Sequence, residues 1–272
     1  MKWGEGIHNI QAIVLDLDGT LLNSNKEVSS RNLQAVMNGH RAGMKIIIAT
    51  ARPPRSVKAM LPLELLNLSS LICYNGAWVC DAMAGIEEHI PISQTATARI
   101  IEFCLEHLPR CIISLEVQDQ WYSNQDIIDS TIYDPQFHPI MSTVDQLKAY
   151  HATKILLTEF DAWDHLQLLF GEEANIVVTD QGKLIQIMNK SVSKDTGIMK
   201  LCGHYGIKPD EIIVFGDDYN DMEMFRMSGY SIAMQNAVQE LKDIASEVTA
   251  SNDEHGVAII LERLLSERIS PE

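Results

Sequence analysis

No apolar run in this chain approaches the roughly 18–20 residues that a membrane-spanning helix requires, so helical membrane spans are excluded. Basic residues are scarce. The 272 residues carry 21 Lys and Arg against 37 Asp and Glu, a formal net charge of −16. A nucleic-acid partner would call for a basic stripe, and an anionic membrane surface would repel such a chain. Neither partner is expected. An anionic small molecule remains open as a substrate, provided a local positive field opposes the global one. Cysteine is sparse too. Cys73, Cys80, Cys104, Cys111 and Cys202 are odd in number and scattered, with no CxxC pair and no disulfide framework. Buried, reduced thiols are expected. Met1–His8 has no apolar core of the kind a signal peptide carries, and the cytoplasm is the expected location. Internal repeats and low-complexity tracts are also missing.

What is present is an ordinary globular profile, 46% hydrophobic and 21% charged, long enough for two domains. In the N-terminal third, apolar strands alternate with helices. Ala12–Leu15 reads as a buried strand. Ser29 offers an N-cap to a helix running to about Arg41, stopped by Gly43. Lys45–Ala49 is a second strand, ending at Thr50. Pro53-Pro54 precede a helix over about Arg55–Leu65, and Leu71–Tyr74 is a third strand, stopped by Asn75-Gly76. This alternation predicts a parallel sheet covered on both faces.

From about 81 to 187 the texture changes. Strands at Ile112–Val117, Trp121–Ser123, Lys154–Leu157 and Ile176–Val178 are more alternating and turn-bounded, with helices near Gln94–Leu108 and Ala162–Phe170. This predicts an α+β domain inserted into the first, which spans 1–80 and 188–272. After Ser193 the first texture returns. A helix covers Lys194–Tyr205, strands cover Glu211–Phe215, Ser231–Ala233 and Glu247–Thr249, and an amphipathic helix covers Gly256–Leu265.

The chemistry concentrates at predicted strand ends. Asp16 and Asp18 end the first strand, Thr50 the second, and Asp217-Asp218-Tyr219-Asn220-Asp221 follow a later one. Lys194 opens a helix. Two carboxylates at the end of a buried strand are costly unless a cation or a reaction uses them. In a doubly wound sheet, ligands bind outside the carboxyl ends of the strands. Hard carboxylate oxygens suit Mg²⁺, and the set fits phosphoryl transfer by a carboxylate nucleophile with a second carboxyl moving the proton.

Asp16–Leu22 (DLDGTLL), Ile46–Thr50 (IIIAT), Lys194 and Gly216–Met224 (GDDYNDMEM) resemble, in order, the four motifs of the haloacid dehalogenase superfamily. Tyr74–Ala77, Met234–Ala237, Ser251–Val257 and the insertion resemble its Cof-type branch, the IIB phosphatases with a C2 cap. The resemblance implies a Rossmann-like α/β core, a cap at 81–187 closing over the site, and Mg²⁺-dependent hydrolysis of a small phosphorylated metabolite such as a sugar phosphate or phosphorylated cofactor. By position it implies Asp16 as nucleophile and metal ligand, and Asp18 as general acid/base giving the metal its backbone carbonyl. It further implies that Asp217 and Asp221 complete the metal shell, that Thr50, the backbone amides of Leu17 and Ala51, and Lys194 hold phosphate, and that Asn220 contacts phosphate or orders the metal waters. It places Asn75 and Gly76 at the hinge, facing substrate.

The chain departs from the family's common patterns at Ala51, Asp195 and Gln235, without losing a chemical group. A phosphosugar mutase and a non-catalytic sugar-phosphate-binding regulator stay open as alternatives. Monomer and homodimer are not distinguished. Trp121, Tyr122 and His138 are expected in packing or on the surface rather than at substrate. His107, His151 and His165 show no metal-ligand spacing. The methionines read as core filler, Asp218 as a surface residue, and Glu87-Glu88 and Glu172-Glu173 as solvated turns.

Overall fold

A computed structural model describes residues 9–126, 136–160, 164–179 and 183–269. The N-terminal Met1–His8, and Ala162 and Trp163 of one expected helix, lie outside the described residues. The chain divides into two compact units. The first comprises Met1–Arg52, Val57–Glu87 and Ser193–Glu272; the second comprises Pro53–Ser56 and Glu88–Val192.

The first unit is built on an eight-stranded sheet. Its order is Glu247–Val248, Tyr230–Ala233, Ile212–Gly216, Ala12–Leu15, Lys45–Ala49, Ser69–Cys73, Trp78–Asp81 and Ile86–His89. The six strands from Glu247–Val248 to Ser69–Cys73 run parallel, and Trp78–Asp81 pairs antiparallel. Ala12–Leu15 is wholly buried and lies between Ile212–Gly216 and Lys45–Ala49. The chain extends the sheet to one side up to Ser69–Cys73 and later returns to the other side at Ile212–Gly216. That reversal creates a crevice at the carboxyl ends of the two central strands. One apolar layer joins Val14, Ile47, Ile72 and Val214 to Ile198, Leu201 and Met224 on the helices.

Several elements follow directly from local chemistry. Ser29 caps the helix Ser30–Arg41, its Oγ accepting from Asn32 N. Gly43 follows at φ +91°. The helix Lys194–Tyr205 begins and ends where periodicity puts it, with Gly206 left-handed at its end. Others differ. The helix expected over Arg55–Leu65 is two pieces, Pro54–Met60 and Leu63–Leu66, because Pro62 cannot continue the first. Glu87-Glu88 is no turn but part of the strand Ile86–His89.

The second unit has a six-stranded sheet ordered Ala174–Thr179, Leu184–Asn189, Lys154–Thr158, Ile112–Val117, Gln120–Ser123 and Ile140–Met141. Its strands alternate. Ile113, Leu115, Ile155, Leu157, Ile185 and Ile187 face a core with the helices Gln94–His107 and Asp164–Phe170. The intervening positions carry buried polar groups, among them Ser114, Glu116, Lys154 and Gln186, with Lys154 donating to Gln186 at 3.0 Å. Tyr122 stacks on Tyr150, and Trp121 is buried. His107, His138, His151 and His165 are exposed. All five cysteines are free thiols, four of them buried. Among the described residues, no helix is long and apolar enough to cross a membrane.

Candidate active site

The polar groups of the first unit meet at the crevice. The chain leaves the strand Ala12–Leu15 at Asp16, which is 5% exposed. It then turns tightly, with Leu21 N and Leu22 N donating back to Asp16 O and Leu17 O. Gly19 is indispensable to this turn. Its φ is +78°, and a Cβ there would lie 2.1 Å from Asp217 Oδ2. The turn therefore packs against the loop that follows the neighbouring strand, Ile212–Gly216. Thr20 Oγ1 donates to Asp217 Oδ1 at 2.9 Å. Asp221 Oδ2 accepts from Asp217 N and Asp218 N, closing that loop. Asp218 itself is exposed and accepts from Tyr219 N.

Lys194 is 1% exposed and stands at the start of its helix. Its Nζ donates to Asp16 Oδ1 at 2.6 Å and to Asp221 Oδ1 at 2.7 Å. Burial works against the ammonium charge, but the two carboxylates outweigh it and hold the lysine charged beyond its ordinary range. Asp16, Asp217 and Asp221 each offer an oxygen within 4.8 Å of the others. One ammonium does not balance three carboxylates. Burial, opposed by Lys194, raises the Asp16 pKa well above the usual carboxylate range. Burial and the Asp221 charge push Asp217 up to about 7. An all-oxygen donor set this short of positive charge fits a hard divalent cation.

Asp18 lies outside that trio. Its carboxylate receives the Arg52 guanidinium as a fork, Nε to Oδ2 at 2.5 Å and Nη2 to Oδ1 at 2.8 Å. Lys26 Nζ adds a third bond at 2.7 Å. Burial alone would raise its pKa, yet the two cations bring it down to about 2. Arg52 and Lys26 are the local positive field that the −16 chain lacks globally. No predicted role pointed to either residue. Arg52 stood beside Thr50-Ala51, and only its position hinted at involvement. Thr50 is buried at the end of its strand, and its Oγ1 accepts from Arg52 N. Asn75 is buried, and its Oδ1 accepts from Asn220 Nδ2 at 3.2 Å.

The stretches Met234–Ala237 and Ser251–Val257 act as clamps. Asn236 Nδ2 donates to Gly19 O at 2.8 Å, and Asn236 Oδ1 accepts from Asn252 N. Asn252 Nδ2 donates to Leu22 O, and Asp253 receives both the amide and the hydroxyl of Ser24. The turn after Asp16 is thus tied down along Gly19–Ser24.

The 5-amino-6-(5-phospho-D-ribitylamino)uracil phosphatase YwtE of Bacillus subtilis is 29% identical over 94% of this chain and 99% of its own. The crystal structure of TM0651 from Thermotoga maritima superposes with a TM-score of 0.82 at 26% identity, covering 97% of this chain and 98% of that one. A solved HAD subclass IIB sugar phosphatase, BT4131, shares the fold with a TM-score of 0.78 at 22% identity, over 93% of this chain and 98% of its own. The family model for haloacid dehalogenase-like hydrolases matches residues 13–261. On that match, which takes in Asp16, Thr50, Lys194 and Asp217 together, the chain belongs to the haloacid dehalogenase-like hydrolases.

Proposed function

We propose that the protein is a Mg²⁺-dependent phosphatase that hydrolyses a small phosphomonoester through an aspartyl-phosphate on Asp16. The observation that carries this reading is the carboxylate trio of Asp16, Asp217 and Asp221, short of positive charge, with Asp16 and Asp221 buried and bonded to the Lys194 ammonium. Asp16, Asp217, Asp221 and the backbone carbonyl of Asp18 would hold Mg²⁺. When bound, the ion neutralises phosphate charge so that a carboxylate can approach an anion.

In the first half-reaction an Asp16 carboxylate oxygen forms a bond to phosphorus, and the bond from phosphorus to the leaving oxygen breaks. A proton on the Asp18 carboxyl passes to that oxygen. In the second, the Asp18 carboxylate takes a proton from water, whose oxygen attacks phosphorus and releases Asp16 with inorganic phosphate. Thr50, the amides of Leu17 and Ala51, Lys194 and Asn220 would hold the phosphoryl oxygens. Arg52 and Lys26 pair with the ionised form of Asp18, the form the second half-reaction uses. Protonating the leaving oxygen requires Asp18 to exchange out of one of these contacts.

The substrate class is a phosphorylated sugar, polyol or cofactor precursor. The Bacillus subtilis relative's phosphoribitylamino-uracil belongs in that class and heads the test panel. Purified protein with Mg²⁺ is expected to release inorganic phosphate from one or more members, and Asp16→Asn to abolish release. No phosphate from any member, or undiminished activity in Asp16→Asn, sinks the reading. An isomeric sugar phosphate as product with little free phosphate would replace hydrolysis by mutase chemistry.

A further inference from the structure

The strand Ser69–Cys73 ends in three consecutive residues with positive φ, Tyr74 at +53°, Asn75 at +52° and Gly76 at +108°. Left-handed backbone is uncommon outside glycine and unfavourable for a bulky tyrosine. Tyr74 and Asn75 are also buried, at 0% and 4% exposure. Such a segment persists only where its surroundings hold it.

Contacts of this segment lead to the active-site loops. Tyr74 N donates to Arg52 O, and Asn75 N donates to Thr50 O at 2.9 Å. A Cβ on Gly76 would lie 2.2 Å from Ser193 O, next to Lys194. The Asn75 side chain reaches the third loop by accepting from Asn220 Nδ2. One tripeptide therefore touches the segments that carry Thr50, Lys194 and Asn220.

The residue choice at position 75 is informative. Glycine adopts φ near +52° at the least cost, and the chain uses glycine at the very next position. Asparagine tolerates this region better than most residues and adds what glycine lacks, a side-chain acceptor. That acceptor takes one amide proton of Asn220 and thereby sets which edge of the Asn220 amide turns away from Asn75.

We propose that Asn75 is a positioning residue: it fixes the rotamer and the amide orientation of Asn220, so that Asn220 presents the same edge to the reacting phosphate in every turnover. The catalytic consequence rests on the phosphatase reading; the orientation of Asn220 does not.

Two measurements test it. The first follows the Asn220 side-chain amide by ¹H–¹⁵N NMR, assigned by its disappearance in Asn220→Ala. Asn75→Gly keeps the backbone conformation and its N–H but removes the acceptor, and Asn75→Asp keeps an acceptor. The Asn220 amide signals are expected to shift and exchange faster in Asn75→Gly and to stay close to wild type in Asn75→Asp. Unchanged Asn220 signals in Asn75→Gly overturn the proposal, whether or not the protein proves to be a phosphatase.

The second is a double-mutant cycle on Mg²⁺-dependent hydrolysis of p-nitrophenyl phosphate. Asn75→Gly is expected to lower kcat/KM about tenfold. Adding Asn75→Gly to Asn220→Ala should cost less than about a further twofold. Fully additive losses would show that Asn75 does not act through Asn220, which also overturns the proposal. A wild-type protein inert toward every phosphomonoester refutes the phosphatase reading instead, and the NMR result then decides this one.

Discussion

At the scale of single residues, Lys194 bears the heaviest electrostatic duty. Among the described residues it is the one ammonium bonded to Asp16 and Asp221, and all three groups are buried. Lys194→Met leaves two buried carboxylates without their partner. The expected loss is about 3–5 kcal/mol of stability, read by urea denaturation without added metal, with phosphatase activity falling at least about a hundredfold. A Lys194→Met protein as stable as wild type would mean that the carboxylates draw their compensation from elsewhere.

Metal and proton should compete at the same carboxylates. Asp217 is pushed up to about 7 and Asp16 is raised. A carboxyl whose folded pKa exceeds its unfolded value binds more protons folded than unfolded. Its stabilising contribution is present below the unfolded pKa, near 4, and is lost as pH rises through the folded pKa. The metal-free protein should therefore lose stability between about pH 4 and pH 8. Mg²⁺ binds the ionised forms, so its increment in Tm should be larger at pH 8 than at pH 5. A Mg²⁺ increment independent of pH would contradict this assignment of the protons. Gly19→Ala belongs to the same scale. Its Cβ would collide with the Asp217 carboxylate, so Mg²⁺ affinity, measured by calorimetry, should fall by about tenfold or more.

At the scale of elements, the site is a set of loops at strand ends, and its precision depends on what holds them. Asn236 and Asn252 grip the turn after Asp16 at Gly19 O and Leu22 O. Asn236→Ala removes one of these bonds and should cost about 1 kcal/mol of stability. Because that turn carries Asp18, activity should drop more than the stability loss implies, by about tenfold. Equal rates in Asn236→Ala and wild type would reduce the clamp to ordinary loop packing.

Sequence periodicity read most of the first unit's elements well. Ala12–Leu15, Lys45–Ala49 and Lys194–Tyr205 form over the spans that their apolar spacing predicts. It failed where a local signal was weak or contradicted. Pro62 split an otherwise helical pattern. The strands Trp78–Asp81 and Ile86–His89 gave little apolar alternation, and Glu87-Glu88 resembled a solvated turn. Their pairing with the rest of the sheet, not their composition, makes them strands.

At the scale of the whole molecule, a net charge of −16 would oppose a dianionic substrate at long range, while Arg52 and Lys26 sit beside the site within 2.8 Å of Asp18. The Debye length falls from about 30 Å at 0.01 M salt to about 8 Å at 0.15 M. Screening over that range removes distant repulsion and leaves close contacts largely intact. For a dianionic phosphomonoester, kcat/KM should therefore rise with ionic strength. A fall would mean that the local cations, not the global charge, govern approach.

The sequence by itself determined the strands that end in chemistry. Asp16, Asp18, Thr50, Lys194 and Asp217 each follow or open an element whose pattern comes from near neighbours along the chain. Periodicity of 2 or 3.6 residues is a local property, so it survives in one dimension. Many contacts that assemble the site are not local. Arg52 meets Asp18 across 34 positions, Asn75 meets Asn220 across 145, and Lys194 meets Asp16 across 178. Only the winding of the parallel sheet, reversing beside Ala12–Leu15, brings them together. Burial at that crevice then makes the pairing obligatory, because charges withdrawn from water must find opposite charge or a cation.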